Sequence, residues 1–389
     1  MFSHRPPSDL TSTAYAAALA DLQARGVPIL DLTQANPTGA GFVYPPSLLA
    51  PLADPAALRY EPAPFGLAAA REAVADEYAR RGVPVSADRI VLTASTSDAY
   101  SLLFKLLCDP GDEVLVPVPS YPLFEHLTRL DAVRLATYPL EYHGRWSIDL
   151  AAVARAITPL TRAVLVVSPN NPTGSYVSRL ELDALAILCV DHDLALIGDE
   201  VFADYPFDER TPGPSVVEQD VALACSLGGL SKSAGLPQVK LGWMALAGPA
   251  ALVAEANARL ELICDTYLSV ATPVQHAAPA LLGASSSIRR QIRARVQSNR
   301  DWLRETTRRT PEVELLNADG GWYGVLRVPA TCGEERLALE LLLRDHVLVH
   351  PGYFFDFAHE AFLVVSLLPR PDEFADGLSR VIARATAAC

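Results

Sequence analysis

Between Ile90 and Ala247 the chain alternates short apolar runs with helical stretches of about ten residues, and this alternation limits the fold more than any other feature. Strands are expected at Ile90–Thr93, Glu113–Val116, Val133–Tyr138, Ala163–Val167, Leu194–Asp199, Val221–Leu227 and Leu241–Ala247. Helices are expected at Gly66–Arg81, Ser97–Leu107, Leu123–Leu130, Asp149–Ile157 and Ser178–Asp191. Runs such as AVLVV show no polar/apolar alternation, so such strands bury both faces. The fold class is therefore α/β, with a mostly parallel, doubly covered sheet. Sheets of this kind take ligands beyond the carboxyl ends of their strands.

After Pro249 the pattern changes to long helices, Ala250–Ile263 and Ser286–Arg308. Strands near Val313–Leu316, Tyr323–Val328, Val347–His350 and Phe362–Leu367 follow, then a terminal helix opened by Pro371, at the position proline tolerates best. Ahead of the alternation lie an alanine-rich helix (Leu10–Arg25), a short strand (Ile29–Leu32) and the turn-rich loop QANPTGAGFVYPP. A chain of 389 residues exceeds one small core. The expected division is a large domain at 45–280 and a smaller α+β domain made of 1–44 and 281–389.

Charge narrows the function. With 32 basic against 45 acidic residues, the formal charge of -13 argues against a nucleic-acid or acidic-membrane surface. No apolar run has the length of a membrane helix, and MFSHRPPSDL lacks the apolar core of a secretion signal, so a cytoplasmic protein is expected. Cys108, Cys189, Cys225, Cys264, Cys332 and Cys389 are scattered and read as reduced thiols rather than a disulfide or zinc framework. The eight histidines show no ligand spacing, so no metal is expected.

The chemistry gathers at strand ends. SLGGLSKSAGLPQVKLGW, Ser226–Trp243, sets Lys232 among small residues, where a flat ligand can approach the backbone and a desolvated amine becomes nucleophilic. A solvated lysine on a surface turn is the plain alternative. Asp199 ends the apolar run LALIGD, and a carboxylate there must be paired, protonated or functional. Asn171 in SPNNPTG is held by a proline-containing turn. Ser95, Thr96 and Ser97 precede a helix, where hydroxyls and free N–H groups form an anion cradle or, more plainly, an N-cap at Ser97. Tyr121 in PSYPLF offers a ring face to the same crevice. Together these supply a phosphate cradle, a ring stacker, an amide, a carboxylate and an amine, the set that pyridoxal 5'-phosphate requires.

The chain resembles the class I/II aminotransferases of the fold type I pyridoxal-phosphate family. NNPTG, DEVF and SKSAGLPQVKLG occur in that family's order, and RYEPAPFG and HPGYFF extend the likeness over nearly the whole chain. The resemblance implies that Lys232 forms the Schiff base with the cofactor and shuttles the proton, and that Asp199 pairs with the pyridine nitrogen. It implies that Asn171 bonds the ring hydroxyl and Tyr121 stacks on the ring. Ser95, Thr96, Ser97 and Ser231 would surround the phosphate, and Tyr60 would reach the phosphate of a neighbouring subunit in a homodimer with shared sites. An amino donor and a keto-acid acceptor are the implied partners.

Several positions depart from the family pattern. Phe202 stands where a tyrosine usually bonds the ring hydroxyl, Gly229 where a phosphate hydroxyl is usual, and Lys240 where an arginine is usual. Ala35 replaces the glycine before Asn36-Pro37. Val364 aligns with the arginine that grips the substrate carboxylate, with Arg327 and Arg370 as nearby substitutes. The expected activity is transamination between an amino acid and a 2-oxo acid. A lyase, a cyclase or an amine transaminase is the alternative that Val364 raises, and a ligand-sensing regulator is a remoter one.

Overall fold

The computed structural model describes residues 2–210, 212–331 and 333–387. Its centre is an eight-stranded sheet in the order Ile90–Thr93, Gly242–Ala247, Ala224–Gly229, Ala195–Asp199, Thr161–Val167, Glu113–Val118, Arg134–Tyr142, Trp146–Ile148. The strands from Ala224–Gly229 to Arg134–Tyr142 run parallel; Gly242–Ala247 is antiparallel to both neighbours, and Trp146–Ile148 is antiparallel to Arg134–Tyr142. The central strands are buried on both faces, as their unbroken apolar runs require.

Helices cover both sides. Thr96–Leu107 packs with Ala250–Tyr267 on one face, and Ala68–Arg80 with the 37-residue helix Thr272–Arg308 on the other. Helix starts follow local chemistry. Asp149 caps Leu150–Ala156 through Ala152 N–H, and Ser178 with Glu181 forms a reciprocal capping box on Arg179–Asp191. A second sheet, Glu314–Leu315, Tyr323–Arg327, Phe362–Ser366 and His350–Pro351, is antiparallel throughout, and Leu30–Asp31 pairs in parallel with Val347–Leu348. The terminal helix Pro371–Thr386 covers this region.

Four expectations change. The helix expected from Ser286 begins at Thr272 and runs through Pro279, because Ala277, Ala278, Leu281 and Leu282 are buried and hold it against the core. The strand expected from Val221 begins at Ala224, because the Gln219 side chain takes Val221 N–H and Ala222 N–H into a loop. The strand expected at Val347–His350 divides between two sheets, and the Trp146–Ile148 strand went unforeseen. Cys108, Cys189, Cys225 and Cys264 are free thiols, while Cys332 and Cys389 lie outside the described residues. Among the described residues no helix is long and apolar enough to cross a membrane, and no cluster of metal ligands occurs.

Candidate active site

Asp199 is the last residue of its strand, and the next residue, Glu200, points to the opposite side, as successive residues of an extended chain do. Glu200 is absorbed structurally: it accepts from Ser215 Oγ at 2.7 Å and Val216 N–H at 2.9 Å, and lies 3.6 Å from Arg81. Asp199 faces the crevice. Tyr100 Oη donates to its Oδ2 at 2.8 Å and Val201 N–H to its Oδ1 at 3.2 Å. Burial pushes the Asp199 carboxyl up, against the opposing pull of these two bonds and of Lys232.

Lys232 lies on the next strand end, in the short helix Leu230–Ser233. The turn is held by Leu230 N–H to Leu241 O at 2.9 Å, Ser233 Oγ to Gly229 O at 2.9 Å, and Tyr205 Oη to Lys232 O at 2.7 Å. The amine itself is left to aromatic faces: Nζ lies 5.3 Å from the Trp322 ring centre and 5.6 Å from that of Phe202. Burial lowers its pKa, and Asp199 opposes that shift. A lowered lysine pKa enlarges the neutral, nucleophilic fraction at a given pH.

Two loops close the crevice, and Asn170 ties them together. Its Oδ1 accepts from Ser120 Oγ at 2.9 Å, and its Nδ2 donates to Pro119 O at 3.0 Å and Thr173 Oγ1 at 2.9 Å. Asn171, one residue on, is buried with its Oδ1 unpartnered. A polar atom buried without a partner is costly unless something else completes it. Gly174 has φ +69°, and its carbonyl accepts from Asp319 N–H and Gly320 N–H, both at 2.9 Å. Together with Gly321 N–H to Tyr205 O at 2.9 Å, this latches the loop carrying Trp322 and Tyr323 over the strand ends. Tyr121 sits edge-on to Phe124, its pKa raised by burial and then by Asp199.

At the far side the N-cap of Thr96–Leu107 is Ser95 rather than Ser97, through Ser95 Oγ and Asp98 N–H at 3.1 Å. That leaves the Thr96 and Ser97 N–H groups, which the first helical turn does not satisfy. The backbone is close-packed here: a Cβ on Gly242 would come within 2.8 Å of Ser95 C. Ser231 is partly buried, and Lys240 is exposed with φ 61°. Tyr60 is 62% exposed.

The arrangement fits pyridoxal phosphate by its own chemistry. It offers an amine and a carboxylate in one buried crevice, an unpartnered amide and a helix N-terminus. The carboxylate-side substitutes do not join it. Arg327 is paired with Glu314 and Arg370 is exposed at the start of the terminal helix, while Val364 is buried opposite Val325 and His350. A surface cleft of about 570 Å³ lies elsewhere, and its charges pair internally, Arg80 with Asp204, Arg179 with Glu218 and Arg293 with Glu209.

A profile described as aminotransferase class I and II matches residues 29–373. The chain belongs to this family. Glutamate-pyruvate aminotransferase AlaA of Escherichia coli is 28% identical over 92% of this chain and 91% of its own length. Arginine–pyruvate transaminase AruH of Pseudomonas aeruginosa is 32% identical over 75% and 73%. Among solved structures, an Escherichia coli aminotransferase superposes with a TM-score of 0.86 at 26% identity, covering 98% of this chain and 100% of that one. A Thermus thermophilus aspartate aminotransferase double mutant gives 0.84 at 26%, with 99% of each chain covered. The protein is thus a pyridoxal-phosphate-dependent aminotransferase that moves an amino group between an amino acid and a 2-oxo acid; the lyase, cyclase and amine-transaminase alternative is not favoured.

Sequence reasoning passed over Tyr100, Tyr205, Trp322 and Tyr323. Tyr100 carried a usable signal, a phenol on the apolar face of a helix beside Ala99, Leu102 and Leu103, since a buried phenol must find an acceptor. The others carried none that spacing could reveal.

Proposed function

We propose that Lys232 is the residue that carries the cofactor and moves the proton in this aminotransferase. Bound pyridoxal phosphate supplies an aldehyde for the amine and an electron-poor ring that stabilises the charge left on the substrate Cα. The carrying observation is the half-buried Lys232, whose Nζ is walled by the Trp322 and Phe202 rings and electrostatically coupled to Asp199. In this reading Lys232 Nζ would take the Cα proton as a neutral base and deliver it to the cofactor's former aldehyde carbon within the same half-reaction, and the second half-reaction would run that transfer in reverse. Asp199 would be the anion that pairs with the ring nitrogen, Asn171 would meet the ring hydroxyl with its unpartnered amide, and Tyr121 would pack on the ring. Ser95, Thr96, Ser97, Ser231 and Lys240 take the phosphate, Lys240 as a point charge without an arginine's fork. Phe202 offers the ring no hydrogen bond.

The relatives named for pyruvate support pyruvate as an acceptor to try first. The reading keeps a large domain at 45–280 and a smaller one at 1–44 with 281–389, with the boundary at 280 crossed by the continuous helix Thr272–Arg308. A homodimer with shared sites, in the cytoplasm, completes the reading; exposed Tyr60 and Leu58 support the shared face. The test is borohydride reduction of the loaded enzyme followed by peptide mapping. The label is expected on Lys232, with Lys232→Ala losing about 10²–10⁴-fold in rate. A label on Lys240 would overturn the assignment.

A further inference from the structure

The geometry points to Tyr100 as a positioning residue that holds Asp199 as an oriented anion, a role that rests on the proposed pairing of Asp199 with the cofactor. Tyr100 Oη donates to Asp199 Oδ2 at 2.8 Å, and both side chains are buried. Other buried tyrosines here turn to neutral acceptors: Tyr15 donates to Val349 O, Tyr138 to Leu165 O and Tyr205 to Lys232 O. Tyr100 instead spends its one proton on a carboxylate at the catalytic strand end. With Val201 N–H on Oδ1, each carboxylate oxygen has one fixed donor, so the plane of the group is set before any ligand arrives. The phenol is itself fixed, edge-on to Phe124 at 5.6 Å and tilted against Phe104 at 6.0 Å.

The chemistry assigns the direction of the bond. Burial and the adjacent carboxylate raise the phenol's pKa well above its ordinary value, so it keeps its proton and donates. A donor to the charged form of an acid favours that form. Burial pushes Asp199 the other way, towards a neutral acid that could not neutralise a protonated ring nitrogen. Tyr100 opposes that drift without adding a charge. The other groups facing the pair are Tyr121 from its loop, Lys232 from the neighbouring strand end, Glu200 along the same strand and Cys225 on the adjacent one. None is altered when the phenol oxygen alone is removed.

Tyr100→Phe does that while keeping the ring contacts. The measurement is the affinity of the cofactor-free full-length chain for pyridoxal 5'-phosphate across pH, in four proteins: wild type, Tyr100→Phe, Asp199→Asn and the double variant. In Tyr100→Phe the acid limb of the affinity profile is expected to move upward by about one to two pH units, the loss of one hydrogen bond to a charged group. On the Asp199→Asn background the same change should leave the profile where it is. A Tyr100→Phe profile that superposes on wild type, or an equal shift in both backgrounds, would overturn the proposal and leave Tyr100 a packing residue. An Asp199→Asn protein binding as wild type does at every pH would overturn the Asp199 reading instead. Should Tyr100→Phe not fold, infrared difference spectra of wild type against Asp199→Asn at pH 8 decide the point. An ionised Asp199 supports the proposal, and a protonated carboxyl removes it.

Discussion

Asn170 and Asn171 are adjacent and chemically identical, yet the fold gives them opposite tasks. Asn170 has every strong contact met within the protein, linking the loop of Pro119 and Ser120 to that of Thr173. Asn171 is buried with an oxygen that no hydrogen bond satisfies among the described residues. A net contribution of about 1 kcal/mol per hydrogen bond predicts that Asn170→Ala costs about 2–3 kcal/mol of stability in the cofactor-free protein. Asn171→Ala should cost little or even stabilise it, because an unsatisfied buried group is removed, while cofactor affinity falls. Denaturant titrations and cofactor-binding curves on the two variants separate these outcomes; equal loss of stability in both would refute the distinction. Position along the sequence says nothing about which of two neighbouring asparagines is the spare one.

At the scale of elements, Asp204 fastens two helices to the loop beyond the strand that ends at Asp199. Its Oδ1 meets Arg289 at 3.2 Å from the 37-residue helix, and also Arg80 from Ala68–Arg80, while Glu77 takes Arg289 at 3.0 Å. Burial would raise the Asp204 carboxyl, but Arg289, Arg80 and Arg81 together outweigh it and hold it below its ordinary value. A carboxylate lowered in this way stabilises the fold above its unfolded pKa, and the contribution is lost as pH falls through the folded value. Asp204→Asn is therefore expected to lower stability by about 3–5 kcal/mol at neutral pH, because Arg289 is left buried with less compensation. The difference from wild type should shrink in acid, and melting curves from pH 7 downward check it. Gly174 acts at the same scale: a Cβ there would sit 2.5 Å from Gly320 O, against backbone that cannot give way. Gly174→Ala should cost about 1–3 kcal/mol and loosen the loop that carries Trp322.

For the whole molecule, the proposed homodimer can be tested at exposed apolar side chains near Tyr60. Leu58 is 92% exposed two residues from Tyr60, and Tyr267 and Leu268 are exposed at the end of Ala250–Tyr267. Under the proposed shared-site homodimer, Leu58→Asp is expected to weaken self-association and, with it, cofactor retention. Sedimentation velocity against protein concentration, with cofactor content measured on the same samples, decides this; a wild-type chain that stays monomeric at all concentrations removes the proposal.

The alternation of apolar runs and helical stretches determined the parallel sheet, because burial on both faces leaves an unbroken hydrophobic signature along each strand. The strand-end motifs placed Lys232, Asp199, Asn171 and Tyr121 in one crevice for the same reason, since parallel strands bring their carboxyl ends to a single edge. Local pattern failed at two places: Pro279 reads as a helix stop until burial of its flanking residues against the core holds the helix through it, and Val221 reads as strand although Gln219, two residues before it, takes its N–H into a loop. The pairing of Tyr100 with Asp199, and the aromatic wall of Trp322 around Lys232, belong to tertiary structure alone. They join residues 99 and 90 positions apart, and no local preference encodes which faces meet across such a separation.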